Sequence, residues 1–220
     1  MIPIELLQQY GGLQKRLTIN EVIVREGQPT LFYHQLVEGK LKAINSIHSE
    51  QELLQYFVLP GQSCAEAGIF DNKPVPVTLI AETESTVIRV NTKDFLRLLS
   101  AHPKYYEMLL STISSRLRFK IFLLKEVAQN NPRKAILKLL HFLKINEEFC
   151  CKDCHKILLT RQQIANLLGF RVETVIRSVK QLADSGILKI HKGKIYLPKK
   201  EKGKNYLTND PLFQYDIPTI

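Results

Sequence analysis

The run LLTRQQIANLLGFRVETVIRSVKQLADSGIL, starting at Leu158, carries the most specific chemistry in the chain. At helical spacing its second half puts Arg171, Val172, Glu173, Ile176, Arg177 and Lys180 on one outward face. An acidic residue on a basic face is informative. A carboxylate accepts from cytosine N4, while a guanidinium donates to guanine O6 and N7, so the pairing fits the base edges of a major groove. Val172, Glu173, Ile176 and Arg177 are therefore the candidate base contacts, with Lys180 at the backbone. Downstream, ILKIHKGKIYL reads as two strands around a Lys-Gly-Lys turn, a basic wing whose Lys192 and Lys194 reach toward phosphates.

Such a face needs elements to hold it. Thr160 and Gln163 make a capping box for a first helix whose inner side is Ile164, Ala165, Leu167 and Leu168. Gly169 ends that helix, and Val175, Val179 and Leu182 turn the second one inward. A plain pair of helices with a solvated basic face would share the periodicity. The coincidence of cap, small residue, turn glycine, inner set and wing favours a winged helix-turn-helix.

Upstream, from about Gln14 to Val90, short β-branched and aromatic runs (EVIVREG, LFYHQLVEGKLKAINSI, ELLQYFVLPG, VTLIAETESTVIRV) alternate with turn residues, as in a β-roll or jelly roll. The period becomes helical at Asn91. Asn91 or Thr92 caps a short helix, and Pro103 opens a long one running to about Gln129. In it Leu110, Leu117 and Leu124 recur every seven residues, flanked by Ile113 and Val127, as a two-stranded coiled coil requires; packing on the β domain is the other use of such a stripe. Asn131 and Pro132 mark a hinge and a new helix start. The expected class is α+β: a β-roll sensor domain (1–102), a dimerisation helix and hinge (103–130), a winged helix-turn-helix domain (131–198) and a tail (199–220).

Composition agrees without deciding. The 220 residues carry a formal charge of +10, which favours a polyanionic partner through counterion release. The N-terminus MIPIELLQQYGG lacks the pattern of a signal peptide, and no apolar run approaches membrane-spanning length, so a cytoplasmic protein without membrane contact is expected. In that compartment the four cysteines stay reduced.

From about Gln14 to Leu197 this order of parts resembles the Crp/Fnr family of bacterial transcription regulators. The most specific motif is TRQQIANLLGFRVETVIRSVKQL, in which the family's Glu-Thr-Val-x-Arg pattern falls on Glu173, Thr174, Val175 and Arg177. The resemblance implies a homodimer that reads TGA-containing half-sites of double-stranded DNA through Glu173 and Arg177, and RNA polymerase as a partner. It also implies that Arg161, Gln162, Arg171, Thr174 and His191 approach phosphates. Val172-Glu173 is closer to the fumarate-nitrate-reductase regulator branch than to the catabolite-activator branch, and Ile176 departs from both.

In the family the resemblance implies an effector pocket that here includes Glu66, Gly68 and Lys120. The phosphate-holding Arg-Ser of cyclic-nucleotide binders falls on Pro76-Val77, the Gly before the Glu is Ala65, and the adenine-contacting hydroxyls fall at Lys120 and Ile121. Pro supplies neither charge nor N–H, so cAMP is not the expected effector. The oxygen-sensing branch's N-terminal cysteines are missing from the first 60 residues, and His34, His48 and His102 are the histidines a haem-binding branch would draw on. Cys150, Cys151, Cys154 and His155 offer metal ligands or redox thiols within six residues, without the second pair of a zinc finger; a polar loop with reduced thiols is the plainer reading. A cupin-like metal enzyme on the jelly roll is the remaining alternative, and no His-x-His supports it.

Overall fold

The computed structural model describes residues 1–48, 51–146 and 149–198; the tail expected at 199–220 and the His48 side chain lie outside the described residues. The chain divides into two compact units, Met1–Ile113 and Ser114–Ile220.

In the first unit, alternation along each strand sends one set of side chains inward and the next outward. The strands are β1 (Leu13–Leu17), β2 (Val22–Val24), β3 (Phe32–Glu38), β4 (Leu41–His48), β5 (Gln51–Val58), β6 (Ser63–Cys64), β7 (Thr78–Ala81) and β8 (Ser85–Asn91). They form two antiparallel sheets, ordered β1-β8-β3-β6 and β2-β7-β4-β5, giving the expected jelly roll. Leu17, Leu36, Cys64 and Val87 face the inside of the roll, where Leu41, Ala43, Val58, Leu79 and Ala81 meet them from the other sheet.

The first sheet is buried on its outer side too. Tyr33, Ile88 and Val90 pack against Leu7 of α1 (Ile4–Gln9) and against Phe95, Leu98 and Leu99 of α3 (Thr92–Ala101). Tyr33 stacks on Phe95 with ring centroids 3.8 Å apart. Gln35, fully buried between them, donates to the carbonyl of Ile2 and accepts from the Ile2 N–H and the Tyr33 hydroxyl, so no polar atom of that amide bridge is wasted. Asn91 caps α3 by accepting from the Lys93 N–H at 3.0 Å. The long helix α4 (Lys104–Ala128) starts in this unit, with Tyr105 and Leu109 in the same outer core.

One turn fixes the roll. Gly39, between β3 and β4, has φ +92, and a Cβ there would lie 2.2 Å from Ser85 Oγ and 2.4 Å from the Glu84 carbonyl. Gly27 has φ +82 with open space around it. Gly27→Ala should therefore cost only the left-handed backbone penalty, about 1 kcal/mol, whereas Gly39→Ala should cost clearly more, on the order of 3 kcal/mol, because backbone must also give way. Urea unfolding of both variants checks this; equal losses would show that the turn at Gly39 relaxes freely.

Candidate nucleic-acid interface

The second unit builds its exposed face from three helices and a hairpin. Asn131 caps α5 (Pro132–Ile145) by accepting from the Lys134 N–H, with Pro132 in the first turn as its fixed φ allows. Ala135, Ile136, Leu139, Leu140 and Leu143 form its buried stripe. At α6 (Arg161–Leu168), Gln163 N–H donates to Thr160 Oγ1 at 3.1 Å while Thr160 N–H donates to Gln163 Oε1 at 2.8 Å, a complete capping box. Gly169 then takes the left-handed conformation, φ 68, and the chain enters α7 (Val172–Asp184).

Val175, Ser178, Val179 and Leu182 are the buried residues of α7, with α5 and α6 packed against it. The opposite side is open: Arg171, Glu173, Ile176, Arg177 and Lys180 are exposed, Val172 and Thr174 half-buried. Beyond it, β9 (Lys189–His191) and β10 (Lys194–Tyr196) pair antiparallel across Lys192 and Gly193, both at positive φ (46 and 73). Two such residues make the turn whose twist matches a hairpin's. His191, Lys192 and Lys194 are exposed while Ile195 anchors the hairpin. Arg161, half-buried, points its guanidinium at the Gly193 carbonyl 3.5 Å away, so the start of α6 and the wing tip meet; desolvation lowers its pKa without threatening its charge. Gln162, exposed, donates instead to Asn166 within α6.

Two contacts of this unit carry no sequence signature. Arg133 donates to Ser185 Oγ at 2.6 Å, tying the start of α5 to the end of α7. Glu126 near the end of α4 pairs with Lys138 of α5 at 2.6 Å, with both side chains largely buried. The rings of Phe122 and Phe142 stack beside that pair at 5.1 Å.

The heptad leucines stand out from α4: Leu110, Leu117 and Leu124 are 62%, 59% and 72% exposed, and Ile121, at 48%, extends the line. Ile113 and Val127 are half-buried. Ile121 is thus part of an apolar strip that the heptad reading did not include. Lys120 is half-buried, and desolvation pushes its pKa down to about 8.

In the first unit, Glu66 is buried at the start of α2 (Ala67–Asp71), and Gly68 fits closely, since a Cβ there would lie 2.0 Å from Thr30 Oγ1. Ala65 has φ 57, a conformation glycine would hold without strain. Val77 points into the core of the roll, and the Pro76 carbonyl accepts from Asn45. Buried His34 has its pKa pushed down to about 4 by desolvation, with Arg89 and Lys15 adding to the effect, while His102 sits edge-on to Tyr10 and Tyr105.

None of the four cysteines, all among the described residues, is in a disulfide. Cys150 is buried and its thiol is pushed up by desolvation, whereas Cys154 is exposed and Cys151 half-buried. Cys151 receives hydrogen bonds from the Cys154 N–H, the Cys154 side chain and the Asp153 N–H, which hold its thiol below the usual value. Among the described residues no three His, Cys, Asp or Glu side chains are grouped as a metal ion needs.

A jelly roll, a long helix and a winged helix-turn-helix with an open basic face define a two-domain transcription regulator. The cyclic nucleotide-binding domain family matches residues 14–102, and the Crp-like helix-turn-helix domain matches residues 136–202. The cAMP-activated global transcriptional regulator CRP of Haemophilus influenzae is 24% identical over 168 residues, 76% of this chain and 74% of that protein. Its Pasteurella multocida counterpart is 25% identical over 168 residues, 76% of this chain and 79% of that one. Among solved structures, the c-di-GMP responsive global regulator CLP of Xanthomonas campestris superposes with TM-score 0.74 at 20% identity, covering 90% of this chain and 98% of that one. FixK2 of Bradyrhizobium japonicum gives 0.67 at 19% identity, covering 84% and 92%. The chain belongs to the Crp/Fnr family of regulators, and the enzyme alternative falls away because these homologues are regulators. Among the described residues no helix is long and apolar enough to cross a membrane.

The capping box makes a direct prediction. Thr160→Ala should lower the stability of the second unit by about 1 kcal/mol, and Thr160→Ser should restore most of it, read by urea unfolding monitored by circular dichroism. No loss in Thr160→Ala would mean that the box is satisfied by water instead.

Proposed function

We propose that this protein acts as a homodimer that reads a palindromic, TGA-containing operator through α7 and controls transcription by RNA polymerase under an effector other than cAMP. The observation that carries the reading is the open face of α7, where Glu173 and Arg177 lie among exposed cations beside a wing that Arg161 holds at its tip. A carboxylate and a guanidinium four residues apart project from one turn of helix to the next, which suits neighbouring base edges. Val172 and Ile176 offer apolar contact beside them, and Gln162, Arg171, Thr174, Lys180, His191, Lys192 and Lys194 flank the groove as phosphate contacts.

The apolar strip on α4 supports the dimer. Leucines more than half exposed are stabilised by about 1.5–3 kcal/mol each when fully buried, so three in register against a second copy outweigh the cost of association only together with the flanking positions. Two copies would set recognition helices about 34 Å apart, one turn of DNA.

Arg177→Ala should lose roughly 1–3 kcal/mol on a TGA-containing palindrome and much less on a scrambled duplex. Arg161→Ala should weaken both alike and lower the salt slope by about one phosphate's worth. Fluorescence anisotropy at several salt concentrations, with the stoichiometry fixed at two chains per palindrome by sedimentation, separates the two effects. If Arg177→Ala weakened both duplexes equally, or if one chain sufficed, this reading would fail.

Calorimetry should find no micromolar site for cAMP or cGMP, because Pro76 and Val77 leave the phosphate without a cationic partner. Saturable binding of either nucleotide at that level would contradict the effector statement.

A further inference from the structure

The segment Phe149–Leu158 is built as a small hairpin ahead of α6. Cys150 bridges Ile157, the Cys151 N–H donates to the Lys156 carbonyl, and the Leu158 N–H donates to the Phe149 carbonyl. Its far side joins the wing: Lys156 bridges Tyr196, Ile157 N–H donates to the Ile195 carbonyl, and Leu197 N–H donates to the His155 carbonyl. The tip holds Cys151 and Cys154, closed by a bond from the His155 N–H to the Cys151 carbonyl at 2.9 Å. A turn so closed keeps α-carbons three residues apart within about 7 Å, the span that a disulfide bridges. Hydrogen bonding from Cys154 and Asp153 holds the Cys151 thiol below its usual value, which favours the thiolate. Cys154 is exposed, so a reagent reaches the pair from solvent, whereas Cys64 and Cys150 are buried.

We propose that Cys151 and Cys154 are a reversible dithiol–disulfide pair that acts on the wing through the strand it shares with β10. The oxidant is a low-molecular-weight disulfide. The Cys151 thiolate attacks one of its sulfurs, the sulfur–sulfur bond of the reagent breaks, and one thiolate leaves. The Cys154 thiolate then attacks Cys151 Sγ, expelling the second thiolate. Two protein thiols become one disulfide, the reagent is reduced to two thiols, and the two protons pass to them. Closing the ring pulls on His155, which holds φ 53, and on the strand through its bonds to Ile195 and Leu197, and so on Lys192 and Lys194 at the phosphates. The consequence for DNA rests on the proposed function; the chemistry of the pair does not.

The test uses the full chain, reduced and then treated with oxidised glutathione. Thiol alkylation and peptide mass mapping should show the loss of two thiols and a bond between Cys151 and Cys154, reversed by dithiothreitol, with Cys64 and Cys150 still free after unfolding. Oxidation should weaken the palindrome and the scrambled duplex by a similar factor of roughly three to ten, since phosphate contacts are those displaced. Cys151→Ser and Cys154→Ser should bind as the reduced protein does and ignore the oxidant. Glutathione left singly on each sulfur, a bond involving Cys150, or one zinc per chain released by thiol reagents would overturn the pair. A disulfide that leaves both affinities unchanged, or one that alters only discrimination, would overturn its action on the wing. A reduced protein that binds neither duplex would overturn the DNA reading, while thiol mapping still decides the pair.

Discussion

The left-handed turn at Gly169 is the constraint on which the exposed face depends. Gly169 follows α6 directly and is followed by only two residues before α7 begins, so its φ of 68 sets the direction in which α7 leaves. A residue with a Cβ would resist that conformation by roughly 1–2 kcal/mol, and a longer linker would leave the crossing of the two helices open. With the turn fixed, the rest follows from packing. Ala165 and Leu168 of α6 and Val175, Val179 and Leu182 of α7 are all buried. Once those side chains face inward, helical period alone sends Glu173, Ile176, Arg177 and Lys180 outward.

This is why the second unit was legible from sequence. Caps, turn glycine and inner apolar set are local signals, and each appears where its residues predict: the Thr160–Gln163 box, the Asn131 cap, the Asn91 cap, the paired strands around Lys192 and Gly193. The first unit showed its strands but not its layers. Short α1 gives too few residues for a helical period, and β6 is two residues long. Nothing in the local sequence around Gln35 marks it as a buried bridge; that follows only from the long-range contact with Ile2. The ion pair of Glu126 and Lys138 spans a hinge and twelve positions, a separation at which charge pattern says nothing.

The segment from Ala65 to Val77 combines a strained backbone position with close packing. Ala65 has a positive φ, Gly68 fits closely against Thr30, and Glu66 is buried. Val77 instead faces the core of the roll, where an apolar side chain is worth more than a hydroxyl would be. Strain at Ala65 costs on the order of 1 kcal/mol. It persists because the flanking segments are pinned: Cys64 is paired to His34 on one side and Ile69 N–H donates to the Glu66 carbonyl on the other.

The buried pair of Glu126 and Lys138 bears on how the apolar strip of α4 and the open face of α7 are related. Replacing both members of such a pair with apolar residues often costs nothing, whereas removing one leaves a buried charge at about 3–5 kcal/mol, so the pair specifies an arrangement more than it adds stability. Here it couples the end of α4 to the middle of α5, with Phe122 on Phe142 beside it and Lys134 donating to Gln129 at the hinge. Residues 114–128 therefore belong to the same compact unit as α5, α6 and α7. Leu117, Ile121 and Leu124 on one side and the open face of α7 on the other are carried by a single packed body. In the proposed dimer along α4, the spacing of the α7 helices would then depend on how the two α4 helices cross and on the hinge at Asn131 that joins each α4 to α5.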